Sequence, residues 1–335
     1  MRLTARDSAV EAALRSHLTG GPVLLAVSGG PDSTALMAAA AAMDPAPTFH
    51  VATVDHGLRP EAAAEASAVA RLAETFGFPH RTLSWIGPKP VRGVQAAART
   101  ARYGLLATHA ESIGAAFVLT GHTRDDQAET VLMRLLAGSG PAGLAGMRAE
   151  RRLTRSVRLA RPFLHLSKAD LVAYCEARGL AFARDPSNVD DRFARARLRQ
   201  LVPALEREGL STDRLCRLAA RCARDEAALR ALAEAAFEAA LRDQPAPGLR
   251  LSGAHLGTLS DAVLLRVASL AAERIAPGGR ERLDRLESLV LDGLRPALHA
   301  GVPLRRTLRE VLFELTRTGD LVLIPAPPRR ARGSS

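Results

Sequence analysis

Cysteine is scarce in this sequence, and lysine is scarcer. Only Cys175, Cys216 and Cys222 occur among 335 residues. They form no Cys-x-x-Cys pair, which excludes a disulfide framework and argues against a zinc or iron–sulfur centre. No apolar run approaches the ~18–20 residues that cross a bilayer, so no membrane partner is expected. Arg2, Asp7, Glu11 and Arg15 interrupt the stretch from Met1 to Thr19 and leave no signal-peptide core. A cytoplasmic protein is therefore expected. Lys89 and Lys168 are the only lysines, so the 46 basic residues are nearly all arginine. Beside the abundant alanine this reads as a coding bias, and the position of the arginines says more than their number.

Apolar residues make up 47% of the chain, enough for a proper core, and disorder is not expected. The length fits two domains. The net charge of +11 is unevenly spread. Residues 1–150 hold 13 basic and 13 acidic side chains, and residues 201–300 hold 14 of each. Residues 151–200 hold 12 basic and 5 acidic, and residues 301–335 hold 7 and 3. All the surplus lies in two segments, which points to a polyanion-binding surface.

Val23 to Val27 is a short apolar run ending at glycines, and reads as a buried parallel strand. Strands are also expected at His50–Val54, Arg81–Ile86 and Phe117–Thr120. Helices are expected at Asp32–Met43, Glu61–Phe76, Val94–Ser112 and Arg124–Leu136. This alternation predicts an α/β domain with a doubly wound, mainly parallel, Rossmann-like sheet over residues 1–205. Ligands of such sheets bind beyond the carboxyl ends of the strands. A further helix is read at Ser167–Arg178. Long Ala/Leu/Arg helices, clearest at Thr212–Arg242, predict a smaller, mostly helical domain over 206–325. Weak strand signals lie near Val311–Glu314 and Leu321–Ile324. Residues 326–335 read as a basic tail.

The most informative stretch is Ser28-Gly29-Gly30-Pro31-Asp32-Ser33, between a strand and a helix. Glycines allow close backbone approach. Free amides at a helix start, with the helix dipole, favour phosphate. A carboxylate beside a phosphate is repulsive unless a cation lies between them, so Asp32 implies Mg²⁺. No lysine is present, so this is not a Gly-x-x-x-x-Gly-Lys loop. A capped helix start would need one such residue, not six in a row.

The second stretch is Gly121-His122-Thr123-Arg124-Asp125-Asp126-Gln127-Ala128-Glu129-Thr130. His122, Asp125 or Asp126, and Glu129 share one helical face. They can hold Mg²⁺, with Asp126 joining Asp32, or accept a proton from an amine. The bland alternative is an acidic first turn favoured by the dipole. Asp55, in Val54-Asp55-His56-Gly57-Leu58-Arg59, ends the second strand in the same region. Arg99 and Arg102, with Tyr103, can offset phosphate charge. Arg192, Arg195 and Arg199 share a face after Asp185-Pro186-Ser187-Asn188, with Arg197 off it, and suit contact with RNA phosphate.

The hexapeptide from Ser28 to Ser33 resembles the loop of the PP-loop ATP-pyrophosphatases. Four further stretches narrow the resemblance to the bacterial tRNA(Ile)-lysidine synthetases. They are Val54–Arg59; Ala98-Arg99 with Arg102-Tyr103; Gly121–Thr130 with Gly138-Ser139-Gly140-Pro141-Ala142-Gly143-Leu144; and Arg161-Pro162 leading to Asp185–Asn188. Together they cover about residues 20–200. Ala196 and Ala62 depart from the family, which has Asn and Ser there. The resemblance implies ATP as substrate and a tRNA(Ile) with a CAU anticodon as partner. The wobble cytidine would be adenylated at its C2 oxygen, and free L-lysine would then displace AMP. It also implies that Ser28, Gly29, Gly30, Pro31, Asp32, Ser33, Asp55 and Arg99 bind ATP. The catalytic set would be Asp32, His122, Asp125, Asp126, Glu129, Arg195 and Arg197. Two rivals stand beside it. A sister PP-loop thiolase would want cysteines near the site, and none lies in residues 1–174. A non-catalytic ATP- or RNA-binding module would tolerate loss of the carboxylates.

Overall fold

A computed structural model describes residues 5–17, 20–44, 46–58, 60–91, 93–183, 194–243, 247–278 and 282–327. The folded chain divides into two compact units, residues 1–137 with 146–219, and residues 138–145 with 220–335. The sequence placed a boundary near residue 205. The observed division falls inside a long helix, at Ala219 and Ala220.

The first unit begins with helix α1 (Ala5–Arg15), strand β1 (Val23–Ala26), α2 (Pro31–Ala41) and β2 (Phe49–Asp55). It continues through α3 (Ala62–Thr75), β3 (His80–Ser84), α4 (Val94–Ser112), β4 (Phe117–Thr120) and α5 (Arg124–Leu136). The short helix α6 (Pro141–Leu144) belongs to the second unit. Strands β5 (Glu150–Arg152) and β6 (Arg158–Ala160), then α7 (Lys168–Glu176), α8 (Ala194–Arg207) and the start of α9 (Thr212–Ala240) complete the first.

The six strands run in the order β3-β2-β1-β4-β6-β5. All neighbours are parallel except β5, which pairs antiparallel with β6 at the edge. The sheet is buried on both faces, as the continuous apolar strands require. Val23, Leu25 and Val27 pack with residues of α1, α2, α3 and α7, while Leu24 and Ala26 pack with Tyr103, Leu106 and Ala110 of α4. From β1 the chain winds outward through β2 and β3, then returns to place β4 on the other side of β1. The ends of β1 and β4 therefore flank a topological switch point, where a crevice opens.

The second unit adds a five-stranded sheet in the order β7-β8-β11-β10-β9. Its strands are β7 (Leu241–Arg242), β8 (Leu249–Ser252), β9 (Leu304–Leu308), β10 (Val311–Leu315) and β11 (Asp320–Pro325). All its pairs are antiparallel. The helices are α10 (Gly253–Thr258), α11 (Asp261–Ile275), α12 (Leu283–Leu289) and α13 (Arg295–Ala300), with a π-helical turn at Val290–Leu294. Leu264, Val267 and Ala271 of α11 share a core with Val311, Phe313 and Leu323. The helical expectation thus omitted most of a sheet. Its two weak strand signals are β10 and part of β11.

Candidate active site

The loop between β1 and α2 is closed on its own hydroxyls. Ser33 is buried; its Oγ accepts from the Ser28 amide at 3.1 Å and donates to the Gly30 carbonyl at 3.0 Å. Ser28 Oγ lies 3.3 Å from Ser33 Oγ. Gly29 sits at φ 87°, a left-handed conformation that glycine adopts without strain. Gly30 caps α2 with no side chain, and Pro31 supplies no N–H. The amides of Asp32 and Ser33 thus begin α2 without a side-chain acceptor, the arrangement that receives an anion. The loop after β4 presses against this turn: a Cβ on Gly121 would lie 2.6 Å from the Asp32 carbonyl oxygen.

Three carboxylates converge there. Burial raises Asp32 from 3.8 to about 6; Lys168 opposes the rise, and Asp126 and Asp125 add to it. The Lys168 ammonium stands 3.5 Å from Asp32 Oδ2, while Oδ1 is buried with no hydrogen-bond partner. The Lys168 amide donates to Asp125 Oδ2 at 2.7 Å. Asp126 Oδ2 accepts from the Thr123 amide at 2.9 Å and the Thr123 hydroxyl at 3.1 Å, closing the capping box of α5. Asp126 thus caps the helix, as the bland alternative expects, and also raises Asp32 electrostatically.

Glu129 is buried one turn further along α5. Arg199 of α8 grips it with two hydrogen bonds, one from Nε and one of 3.3 Å to Oε2. Nearby, Leu198 packs with Ala128, Val131 and Leu132. The site's His122 is half-buried, and its Nδ1 lies 2.8 Å from the Thr120 hydroxyl. Burial pushes the imidazole down to about 3; Asp126 resists, and Arg102, Arg161 and Arg99 reinforce the fall. It is neutral at physiological pH.

Asp55 closes a small turn at the end of β2 by accepting the Gly57 amide at 2.8 Å. His56 follows it, its ring edge-on to Trp85 at 6.2 Å, and burial and then Arg102 lower its pKa. Arg99 lies over the Tyr103 ring at 5.1 Å. Burial also lowers the guanidinium pKa values of Arg102 and Arg161. Of the expected catalytic arginines, Arg197 is exposed on α8, and the side chain of Arg195 lies outside the described residues, as do Arg59 and the turn Asp185–Asn188.

Asp32, His122, Asp125, Asp126 and the Ser28–Ser33 loop are thus brought together. Sequence reasoning missed Lys168. Its signal was present, since it is one of two lysines in a chain that otherwise uses arginine. Among the described residues, no group of three or more His, Cys, Asp or Glu is arranged to hold a metal ion. A Mg²⁺ that keeps water and phosphate ligands needs only one or two carboxylates, and the unpartnered Oδ1 of Asp32 beside Asp126 fits that demand.

Comparison with known proteins bears on what this crevice handles. Residues 5–205 match the family model of a PP-loop domain. The chain is 55% identical over 314 residues to a tRNA(Ile)-lysidine synthase of Methylobacterium nodulans, covering 93% of this chain and 92% of that one. It is 49% identical to the tRNA(Ile)-lysidine synthase of Rhodopseudomonas palustris, with 92% of each chain covered. Among solved structures, a U34-tRNA thiolase from Methanococcus maripaludis, bearing a [4Fe-4S] cluster, superposes with a TM-score of 0.55 at 18% identity. That match covers 64% of this chain and 77% of the thiolase, and speaks for the fold alone.

Proposed function

The chain belongs to the tRNA(Ile)-lysidine synthase family of PP-loop enzymes, and from that premise we propose how its residues divide the work. It is an ATP-dependent ligase that forms lysidine on tRNA(Ile). The partner tRNA carries a CAU anticodon, the nucleophile is free L-lysine, and the reaction takes place in the cytoplasm. No described helix is long and apolar enough to cross a membrane.

In the first step the C2 oxygen of the wobble cytidine attacks the α-phosphorus of ATP, and pyrophosphate leaves. The Ser28–Ser33 loop binds the phosphates with the amides that open α2. Lys168 supplies the positive charge that this loop does not carry. Asp55 at the end of β2 and Arg99 in the second turn of α4 hold the nucleotide. Asp32 and Asp126 are the residues that would hold Mg²⁺, which neutralises phosphate charge when bound. In the second step the lysine ε-nitrogen attacks C2, and AMP leaves with the former C2 oxygen.

Lysine's ammonium has a pKa near ~10.4 and must lose a proton before attack. Asp125 and Asp126 form the acidic wall that draws it in and accepts that proton. His122 stays neutral, so it does not repel the ammonium, and with Nδ1 engaged by Thr120 its Nε2 is the ring nitrogen left to meet a ligand. Glu129 is already neutralised by Arg199, so its part is to fix α8 against α5 rather than to move a proton. Arg195 and Arg197 contact tRNA or the departing pyrophosphate.

The observation that carries this reading is the Asp32–Lys168–Asp125 constellation on three separate elements at the switch point. The test is transfer of labelled L-lysine, with ATP and Mg²⁺, to unmodified tRNA(Ile) bearing CAU. Methionine tRNA with the same anticodon is the control. Label on the isoleucine tRNA alone is expected. Pyrophosphate release with a different tRNA and no label would move the reading to a sister modifier, and no turnover with any tRNA would end it.

A further inference from the structure

We infer that the groove between α4 and the β5–β6 hairpin is a binding surface for the phosphodiester backbone of the tRNA. This rests on the reading above that the chain modifies a tRNA. The groove has a volume of about 560 Å³ and is lined by Arg99, Thr100, Tyr103, Thr108, Arg151 and Thr154, among others. Tyr103 is its buried floor, with Arg99 over the ring at 5.1 Å and Arg151 at 4.6 Å. Arg102 and Arg161 stand around the same tyrosine.

Four guanidiniums on one phenol repel one another. Arg99 and Arg151 both depress Arg161, and Arg99 depresses Arg102. Among the described residues, no carboxylate pairs with any of the four; Arg161, 3% exposed, donates to the Arg148 carbonyl at 2.7 Å and stands against Tyr103. Arg161 is buried, Arg102 and Arg151 are half-buried and Arg99 is exposed at the mouth; a buried guanidinium is normally paired, so the cluster is left to meet an anion from outside. Glu111 lines the same groove but accepts a hydrogen bond from Ser156.

Two observations select RNA over the triphosphate of ATP. The lining runs along α4 from Arg99 to Glu111, roughly 18 Å at 1.5 Å per residue. Because α4 returns antiparallel to the strands, that line leads away from the loop after β1. The second is the hairpin itself, where Arg151, Arg152, Arg155 and Arg158 open the segment that holds most of the chain's surplus charge, and among the described residues only Arg158 of these four pairs with a carboxylate, Glu150, at 3.4 Å. An extended file of arginines and threonine hydroxyls is what a phosphate backbone contacts without reading sequence.

The test uses the full chain with Arg151→Ala and, separately, Thr100→Glu, which puts a negative charge on an exposed turn of α4. Affinity for unmodified tRNA(Ile) is measured against salt concentration, and ATP affinity is measured without tRNA. Each variant is expected to bind tRNA about tenfold more weakly, with the Arg151→Ala salt slope shallower by about one. ATP affinity stays within about twofold. Wild-type tRNA affinity in both variants overturns the groove and leaves the function standing. Arg99, at the nucleotide end of the groove, is left unchanged in both variants; parallel loss of ATP affinity also overturns the proposal, by giving the rest of the cluster to the nucleotide. A wild-type chain that binds no tRNA overturns the groove together with the reading beneath it.

Discussion

Replacing Lys168 with methionine removes an ammonium while keeping the length of the side chain and the backbone amide that holds Asp125. At 3.5 Å, a pair of unit charges in an effective dielectric of ~20 would interact by about 5 kcal/mol. The Lys168 side chain is 41% exposed, however, so solvent screening cuts its contribution to folding to about 1 kcal/mol or less. The fold should barely respond. Catalysis should respond strongly, because a charge-assisted hydrogen bond to phosphate contributes ~1.5–3 kcal/mol. Lys168→Met is thus expected to lower kcat/KM for ATP by about 10- to 100-fold, read as pyrophosphate release with saturating tRNA, at nearly unchanged urea stability. Lys168→Arg should recover part of the loss. Lys168 also holds Asp32 down, so without it the Asp32 pKa climbs above about 6, and the acid limb of ATP binding moves to higher pH. Wild-type kcat/KM with an unmoved pH profile would refute the assignment of Lys168 to the phosphate site.

Three further outcomes follow from the same geometry. Asp32 is raised from 3.8 to about 6, so its neutral form stabilises the free protein below the unfolded value, and that advantage disappears as pH rises through about 6. Asp32→Asn should therefore abolish adenylation yet raise apo stability at pH 8, by up to about 3 kcal/mol, with no gain at pH 4; thermal melts at the two pH values check it, and a destabilised variant at pH 8 contradicts the burial argument. Gly121→Ala forces a Cβ to 2.6 Å from the Asp32 carbonyl, a backbone atom that cannot rotate away, and should cost about 1–3 kcal/mol together with a raised KM for ATP. Glu129→Ala leaves the Arg199 guanidinium without its bidentate partner; since Arg199 is 32% exposed, a loss of about 2 kcal/mol in urea unfolding is expected, with Glu129→Gln losing less.

The helices Val94–Ser112 and Arg124–Leu136 and the strand Phe117–Thr120 have the bounds the sequence predicts. They were legible because parallel strands buried on both faces are continuous apolar runs cut by glycine, while the helices between them keep a period of their own. The same logic explains what was not legible. β5 is Glu150-Arg151-Arg152, three charged residues whose strand character comes only from pairing with β6 at a sheet edge. β9 has three exposed residues in five, and the turn to β10 uses Arg309 and Glu310 at positive φ, with no glycine to announce it. Tertiary pairing, not local pattern, makes these strands.

The site divides along the same line. Ser28 to Ser33 and His122 to Glu129 are contiguous, and order and spacing alone marked them as the two stretches that the fold brings together. Lys168 stood out by type, as one of two lysines, but its place could not be read, because its amide meets Asp125 across 43 residues of chain and only the fold joins them. The separation has a physical reason. A lysine within the loop beside Asp32 would pair with it permanently and leave neither group for the ligand. On α7, with its amide fixed to Asp125, the ammonium is tethered 3.5 Å from Asp32 and still 41% exposed, close enough to hold the carboxylate and exposed enough to turn to a phosphate. In the proposed division of work the loop carries the acid for Mg²⁺ and a distant element carries the base for the triphosphate, so that site would be complete only once α2, α5 and α7 have packed.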